Sequence, residues 1–226
     1  MSLRALVAAA ALAAAAASAA GLDAIAERDA AAGLRAALEK GALAAVAALG
    51  RNDGFLGDDR VRIALPESLA RYERAMRAVG LGRYADELIV AMNRAAEAAV
   101  PEAKALVVDA VKKMTVQDAK AILAGGETAG TDYFRRTTSD ALRAKFLPIV
   151  QKATKKVKLA EVYNRYAERG VQFGLIAKEH ANLDDYVAQK ALEGLFYMVA
   201  EEEKRIRRDP AKAGSDLIRK VFGALR

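Results

Sequence analysis

The chain has no cysteine among its 226 residues. Disulfides, thiolate nucleophiles and cysteine-ligated metals are therefore excluded. A lipid anchor of the bacterial kind is not expected either, since that acyl group is carried on a cysteine. Histidine is nearly as scarce. His180, in the polar stretch Lys178-Glu179-His180-Ala181-Asn182, is the only one. Histidine metal clusters are thereby removed, and neither a metal nor a cofactor is expected. A serine triad would need His180 with Ser68, Ser139 or Ser215, and none of these lies in a G-x-S-x-G setting. A solvated loop histidine is the better reading. Aromatics make up only 6% of the chain. No apolar stretch of about twenty residues follows the first twenty, so no transmembrane helix is expected after them.

Those first twenty residues carry the clearest signal. Arg4 precedes an alanine-rich apolar run that ends in Ala17-Ser18-Ala19-Ala20. One basic residue, a short apolar stretch and a small-x-small site make a bacterial-type secretory signal. The expectation is a signal peptide over 1–20, a single domain over 21–226, and a periplasmic or secreted protein that is soluble once processed.

Apolar residues are 54% of the chain, much of it alanine. Alanine is the strongest helix former and lets helices approach closely. The apolar spacing predicts an all-α, single-domain helical bundle. Its core is expected to be stapled by large side chains such as Phe134, Phe146, Phe196 and Phe222. Helices are expected over 22–49, from Pro66 to Val79, over 83–99, from Pro101 to Met114, and from Thr115 to Gly125-Gly126. Thr115 and Asp118 have capping-box spacing, with Asp in place of Glu. Phe55 to Leu65 alternates in a way that suits an extended segment. Helix resumes at Ser139, with a kink or break expected at Pro148. Gly170 and Gly174 mark a looser connection. Asn182 is placed to cap a helix running to Arg208, and a last helix is expected to use Leu217, Ile218, Val221, Phe222 and Leu225. Asn52-Asp53-Gly54 with Asp58-Asp59 lacks EF-hand spacing.

The net charge of +7 is segregated. Residues 135–158 carry +7 and residues 204–226 carry +6, whereas the rest of the processed chain carries −7. Lys145, Lys152 and Lys156 share one edge of a helical stripe, as an anionic lipid surface would require. The competing reading is a buried apolar face with solvated lysines. Nucleic acid is not expected as a partner, because no aromatics are interleaved in the basic runs.

Several strings together resemble one family. They are DGFL (53–56), VRIALPE (61–67), MNRAAEAA (92–99), MTVQDAKAILAGG (114–126), TDYFRRTT (131–138) and ALEGLFYMVAEEEKRIRRDP (191–210). The chain resembles the bacterial domain-of-unknown-function 4197 family over essentially its whole processed length. The resemblance implies an exported, all-helical protein and carries over no catalytic residue. One departure is Gly130, where the family more often has alanine.

The densest polar cluster surrounds Gly125 and Gly126. With Thr131, Asp132, Tyr133 and Arg135 it suggests an anion or carboxylate site, since glycine admits close backbone approach and a helix start offers free amides. The structural alternative is a threonine cap with solvated arginines. Asn93 and Glu97, four apart, and Arg94 and Glu97, three apart, share a helix face and read as exposed surface pairs; the alternative is a buried Asn93 acting as an anchor or a ligand contact. Glu201–Arg205 and Glu203–Arg207 read as solvated ion pairs. The function expected is non-enzymatic binding of an anionic small molecule, an anionic lipid surface or an envelope protein. The alternative is a cofactor-independent enzyme using Asp118, Asp132 and other carboxylates with Arg135 near Gly125-Gly126.

Overall fold

Small apolar residues at helical spacing build the first element. In the computed structural model, α1 (Glu27–Leu49) buries Ala30, Ala31, Leu34, Ala37, Leu38, Ala42, Ala45, Val46 and Leu49. This is a broad stripe on a 3.6-residue period, and its alanines let neighbouring backbones come close. The structure describes residues 27–157, 160, 161, 163, 164, 182–213 and 215–223. The signal peptide expected over 1–20 lies outside them, as do Gly170, Gly174, His180 and Leu225.

The remaining helices are α2 (Glu67–Ala78), α3 (Gly82–Ala99), α4 (Ala103–Lys113), α5 (Val116–Ala124), α6 (Ala129–Thr154), α7 (Leu183–Arg208) and α8 (Asp216–Gly223). Short 3₁₀ turns occupy Val100–Glu102 and Pro210–Ala213. No strand occurs among the described residues, and the fold is all-α. α1 packs against α4, α5, α7 and α8, while α6 packs against α3, α4, α5 and α7. The helix ends follow local chemistry. Thr115 and Asp118 form the reciprocal capping box at α5, and Asn182 accepts the Asp184 and Asp185 amides at α7.

α6 corrects the expected start and break. It begins at Ala129, ten residues before Ser139, and continues through Pro148 as one helix. Proline frees one carbonyl of the preceding turn. Pro148 and Ala144 are both exposed, so the interruption lies on the solvent side of the helix. α2 is also less buried than its stripe suggests. Leu69 and Met76 only half-bury, and Val79 is 70% exposed.

α6 and α7 run antiparallel, each about 39 Å long at the usual helical rise. Arg143 on α6 meets Asp185 near the start of α7 at 2.7 Å, and the Thr154 hydroxyl bonds the buried Asp184 carboxylate. At the opposite end, Glu203 of α7 reaches Gly130 of α6. Phe55, Phe134 and Phe146 lie fully inside the core.

Candidate functional site

Between α1 and α2 the chain makes a series of turns over 51–60, and residues 62–65 lie in neither helix nor turn. The extended reading of Phe55 to Leu65 is thus overturned for its first half. In the second half, Val61, Ile63 and Leu65 are buried while Arg62 and Ala64 are exposed, the alternation of a strand with one face covered. No second strand pairs with it among the described residues. A side chain takes that role.

Asn93 on α3 is completely buried. Its Oδ1 accepts the Ile63 amide at 2.8 Å, and its Nδ2 donates to the Ile63 carbonyl at 2.9 Å. The same Nδ2 donates to the Ile89 carbonyl at 2.8 Å. One turn further along α3, Glu97 is also buried. Its Oε1 accepts the Phe55 and Leu56 amides at 3.1 and 3.2 Å, and its Oε2 pairs with Arg94 at 2.6 Å. Arg94 in turn holds Asp53 at 2.8 Å, whose φ of 62° is the left-handed conformation that a short acid tolerates in a turn. Buried polar groups are tolerable only when bonded, and here every partner is main chain or an opposite charge. The expectation of an exposed Asn93–Glu97 group is corrected. Asn93 stands four residues after Ile89 and three before the buried Ala96, which places it among inward-facing positions.

The loop is fastened on its other side by α7. The Tyr186 hydroxyl donates to the Ala64 carbonyl at 3.1 Å. Burial pushes the Tyr186 pKa upward, which keeps that hydroxyl a donor. Phe55 lies against Gly194, where a Cβ would sit 2.7 Å from Cε1 of the ring. Only glycine admits that approach.

Between this segment and α7 runs an open groove of about 420 Å³. Arg60, Arg62, Lys190, Glu193 and Tyr197 line its rim. Asp58 grips Arg60 at 2.6 Å and raises its pKa further. Lys190 pairs with Glu193 at 2.6 Å and stands 6.0 Å from the centre of the Tyr186 ring. Arg62 has no acidic partner among the described residues. Tyr197 leaves 39% of its surface to solvent. A shallower depression of about 540 Å³ along Pro101, Ala105 and Val108 has its walls on α4 and the turn before it.

The residues singled out near Gly125 occupy different environments. Gly125 and Gly126 are exposed, as are Asp132 and Arg135. Thr131 and Tyr133 are buried. The Gly130 and Thr131 amides donate to Glu203 at 3.0 and 2.8 Å, and the Thr131 hydroxyl adds a third bond at 2.9 Å. Tyr133 donates to the Ala110 carbonyl at 3.1 Å, and Arg135 stacks 5.0 Å from the Phe196 ring. Glu127 faces Arg208 at 3.6 Å, Asp109 pairs with Lys113, and Asp118 is engaged in its capping box. None of these residues lines the groove beside residues 60–64, and only Asp109 lines the shallower depression on α4.

Glu203 corrects a second expectation. It is buried, not solvated, and pairs with Arg207 at 2.9 Å. Arg207 also donates to the Ile122 carbonyl at 3.0 Å. Glu201 pairs with Lys204 rather than Arg205, which is taken by Glu202. Position 203 lies four after Val199 and three before Ile206, both buried, so the apolar stripe itself marked it.

The two basic segments do not merge into one face. Lys152 and Lys156 are exposed at the end of α6 that meets the start of α7. Lys145 lies 3.9 Å from Glu102. α8 packs on α1 and on the far end of α7, where Arg207 stands 5.5 Å from the Phe222 ring. There Lys212, Arg219 and Lys220 pair with Asp209, Asp216 and Asp29.

No curated protein and no solved structure matches this chain. The chain belongs to the family described as protein of unknown function (DUF4197), whose sequence pattern matches residues 24–223.

Proposed function

We propose that this chain is an exported, non-enzymatic binding protein of the cell envelope, and that its ligand lies in the groove between residues 60–64 and α7. The supporting observation is that the loop wall of this groove is held by side chains of the chain itself. Asn93, Glu97 and Tyr186 supply five hydrogen bonds to the main chain of residues 55–64. A wall held in this way has little ordering entropy left to lose on binding. Arg62 supplies a cation without an acidic partner, and Tyr197 supplies an exposed ring, so the groove suits a small anionic or carboxylate-bearing ligand. The bacterial-type secretory pattern around Arg4 supports export. Asp109, Asp118 and Glu127 are each engaged by a neighbour, and Asp118, Asp132 and Arg135 line neither groove, so the groove reading is preferred to the enzymatic alternative.

Amide chemical shifts of the isotope-labelled chain test the reading, with N-acetylglutamate and inorganic phosphate as probes. The expected result is saturable shifts at Arg62, Ala64, Lys190, Gly194 and Tyr197. Shifts centred on Gly125 to Arg135 would move the site to the double glycine, and no saturable shift with either probe would end the groove reading. N-terminal sequencing of the protein from its producing cell tests export. A terminus near Ala20 or Gly21 is expected, and an intact Met1 or Ser2 would contradict it.

A further inference from the structure

We propose that the open edge of residues 62–64 receives an extended acidic peptide segment as an added parallel strand. The inference rests on the groove being the ligand site, and it names the ligand class.

An extended main chain points its N–H and C=O groups to alternate edges, residue by residue. Ile63 turns both groups toward Asn93. Arg62 and Ala64 therefore turn theirs toward the opposite edge. That edge faces the groove, because the Tyr186 hydroxyl on α7 reaches the Ala64 carbonyl there.

Two of the four main-chain groups on this edge are already engaged. The Arg62 amide donates back to the Asp58 carbonyl at 2.9 Å, and the Ala64 carbonyl takes the Tyr186 hydroxyl. The Arg62 carbonyl and the Ala64 amide make no hydrogen bond among the described residues, and both residues are exposed. These two groups flank Ile63. They are the acceptor and donor that a single residue of a parallel strand uses, its N–H to the carbonyl before Ile63 and its C=O to the amide after it. A bonded antiparallel pair would use both groups of Arg62 or both groups of Ala64, and one group of each is already engaged. A parallel residue opposite Ile63 needs only the two free groups, which favours that direction, and main-chain pairing of this kind is a recurring way to bind extended peptides.

The side chains specify charge. The peptide residue opposite Ile63 faces the same side as that buried residue and is best apolar. The residue before it lies beside Arg62, whose guanidinium lacks an acidic partner, and is best acidic. A basic residue there would face Arg62 and Arg60 on the loop wall and Lys190 across the groove.

The experiment titrates the processed chain with a capped pentapeptide, acetyl-Ala-Glu-Val-Ala-Ala-amide, following amide shifts and affinity. Two control peptides carry an N-methyl group on the valine or lysine in place of glutamate. We expect the Ala64 amide proton to move downfield, and both controls to bind at least about tenfold weaker, the loss of about 1.4 kcal/mol that removing one good hydrogen bond or one charge pairing produces. Arg62→Glu should reverse the preference in favour of the lysine peptide. Equal binding by the N-methylated and parent peptides would overturn strand addition. If N-acetylglutamate still shifts the groove amides in that case, the groove remains a ligand site and only the peptide inference fails. Absence of groove shifts with every probe overturns both.

Discussion

The carboxylate of Glu203 caps a helix to which it does not belong. It accepts the Gly130 amide at 3.0 Å, at the start of α6 and 73 residues away in sequence. The first amides of a helix lack partners within it and carry the positive end of its dipole, so a buried anion there is stabilised. Thr128, the residue at the cap position, makes no side-chain cap bond. Glu203 replaces it and ties the end of α7 to the start of α6.

Removing that carboxylate should be costly. Glu203→Ala leaves the Gly130 and Thr131 amides without that acceptor and the Arg207 guanidinium without its counter-charge in a largely buried site. Breaking one side of such a pair typically costs about 3–5 kcal/mol. Gly130→Ala should also destabilise, by about 1–3 kcal/mol, because its Cβ would lie 2.3 Å from Cδ2 of Leu38 and 3.1 Å from Glu203. Urea unfolding checks both. The Gly130→Ala loss should shrink in a Leu38→Ala background, since the two side chains compete for one space. A loss under about 1 kcal/mol for Glu203→Ala would mean that the cap contributes little.

Asn93 should behave as a structural amide. Asn93→Leu keeps the volume but leaves the Ile63 N–H and C=O buried and unbonded, at about 1–3 kcal/mol for each such group. Thermal unfolding should show the loss. Amide shifts should spread along residues 61–65 rather than along α3. A variant as stable as the parent would contradict the clamp.

Acid sensitivity follows from the cap of α5. The Thr115 hydroxyl and main-chain amide both bond Asp118 and hold its pKa below the ordinary aspartate value of 3.8. A depressed carboxylate gives stability that is present above the unfolded pKa and lost as pH falls through the folded one. The expected loss therefore lies below pH 3.8. Asp118→Asn should flatten that part of the stability curve while costing stability at neutral pH. An unchanged acid limb would show that Asp118 does not contribute to it.

Phe146 tests the core. Its ring is fully buried on α6, so Phe146→Ala should cost about 3–5 kcal/mol in denaturant unfolding. A change below about 1 kcal/mol would mean that the site is not packed as described.

The sequence was readable where periodicity and caps decide structure, whereas at Asn93 and Glu203 periodicity marks burial but not the partner that makes it tolerable. Leu34, Leu88, Phe146 and Phe222 face the core as their spacing indicates, and Thr115 and Asn182 cap the helices they precede. Asn93, Glu97 and Glu203 were misplaced for a shared reason. Each pairs with main chain 30 to 73 residues away, and no local pattern reveals that a carboxylate will meet unpaired amides. The groove was hidden likewise, because residues 60–64 and 186–197 adjoin only after α7 folds back along the loop. The end-to-end placement of the basic segments also needed the antiparallel run of α6 and α7.

Amide hydrogen exchange at individual residues of the loop tests the central claim that its wall is preformed. Phe55, Leu56 and Ile63 donate to buried side chains although they lie outside any helix, and they should be protected nearly as well as the core of α3. Ala64, with its amide on the open edge, should exchange orders of magnitude faster than its neighbour Ile63. Exchange at Ile63 as fast as at Ala64 would show that the Asn93 clamp does not form and that the groove has no fixed wall.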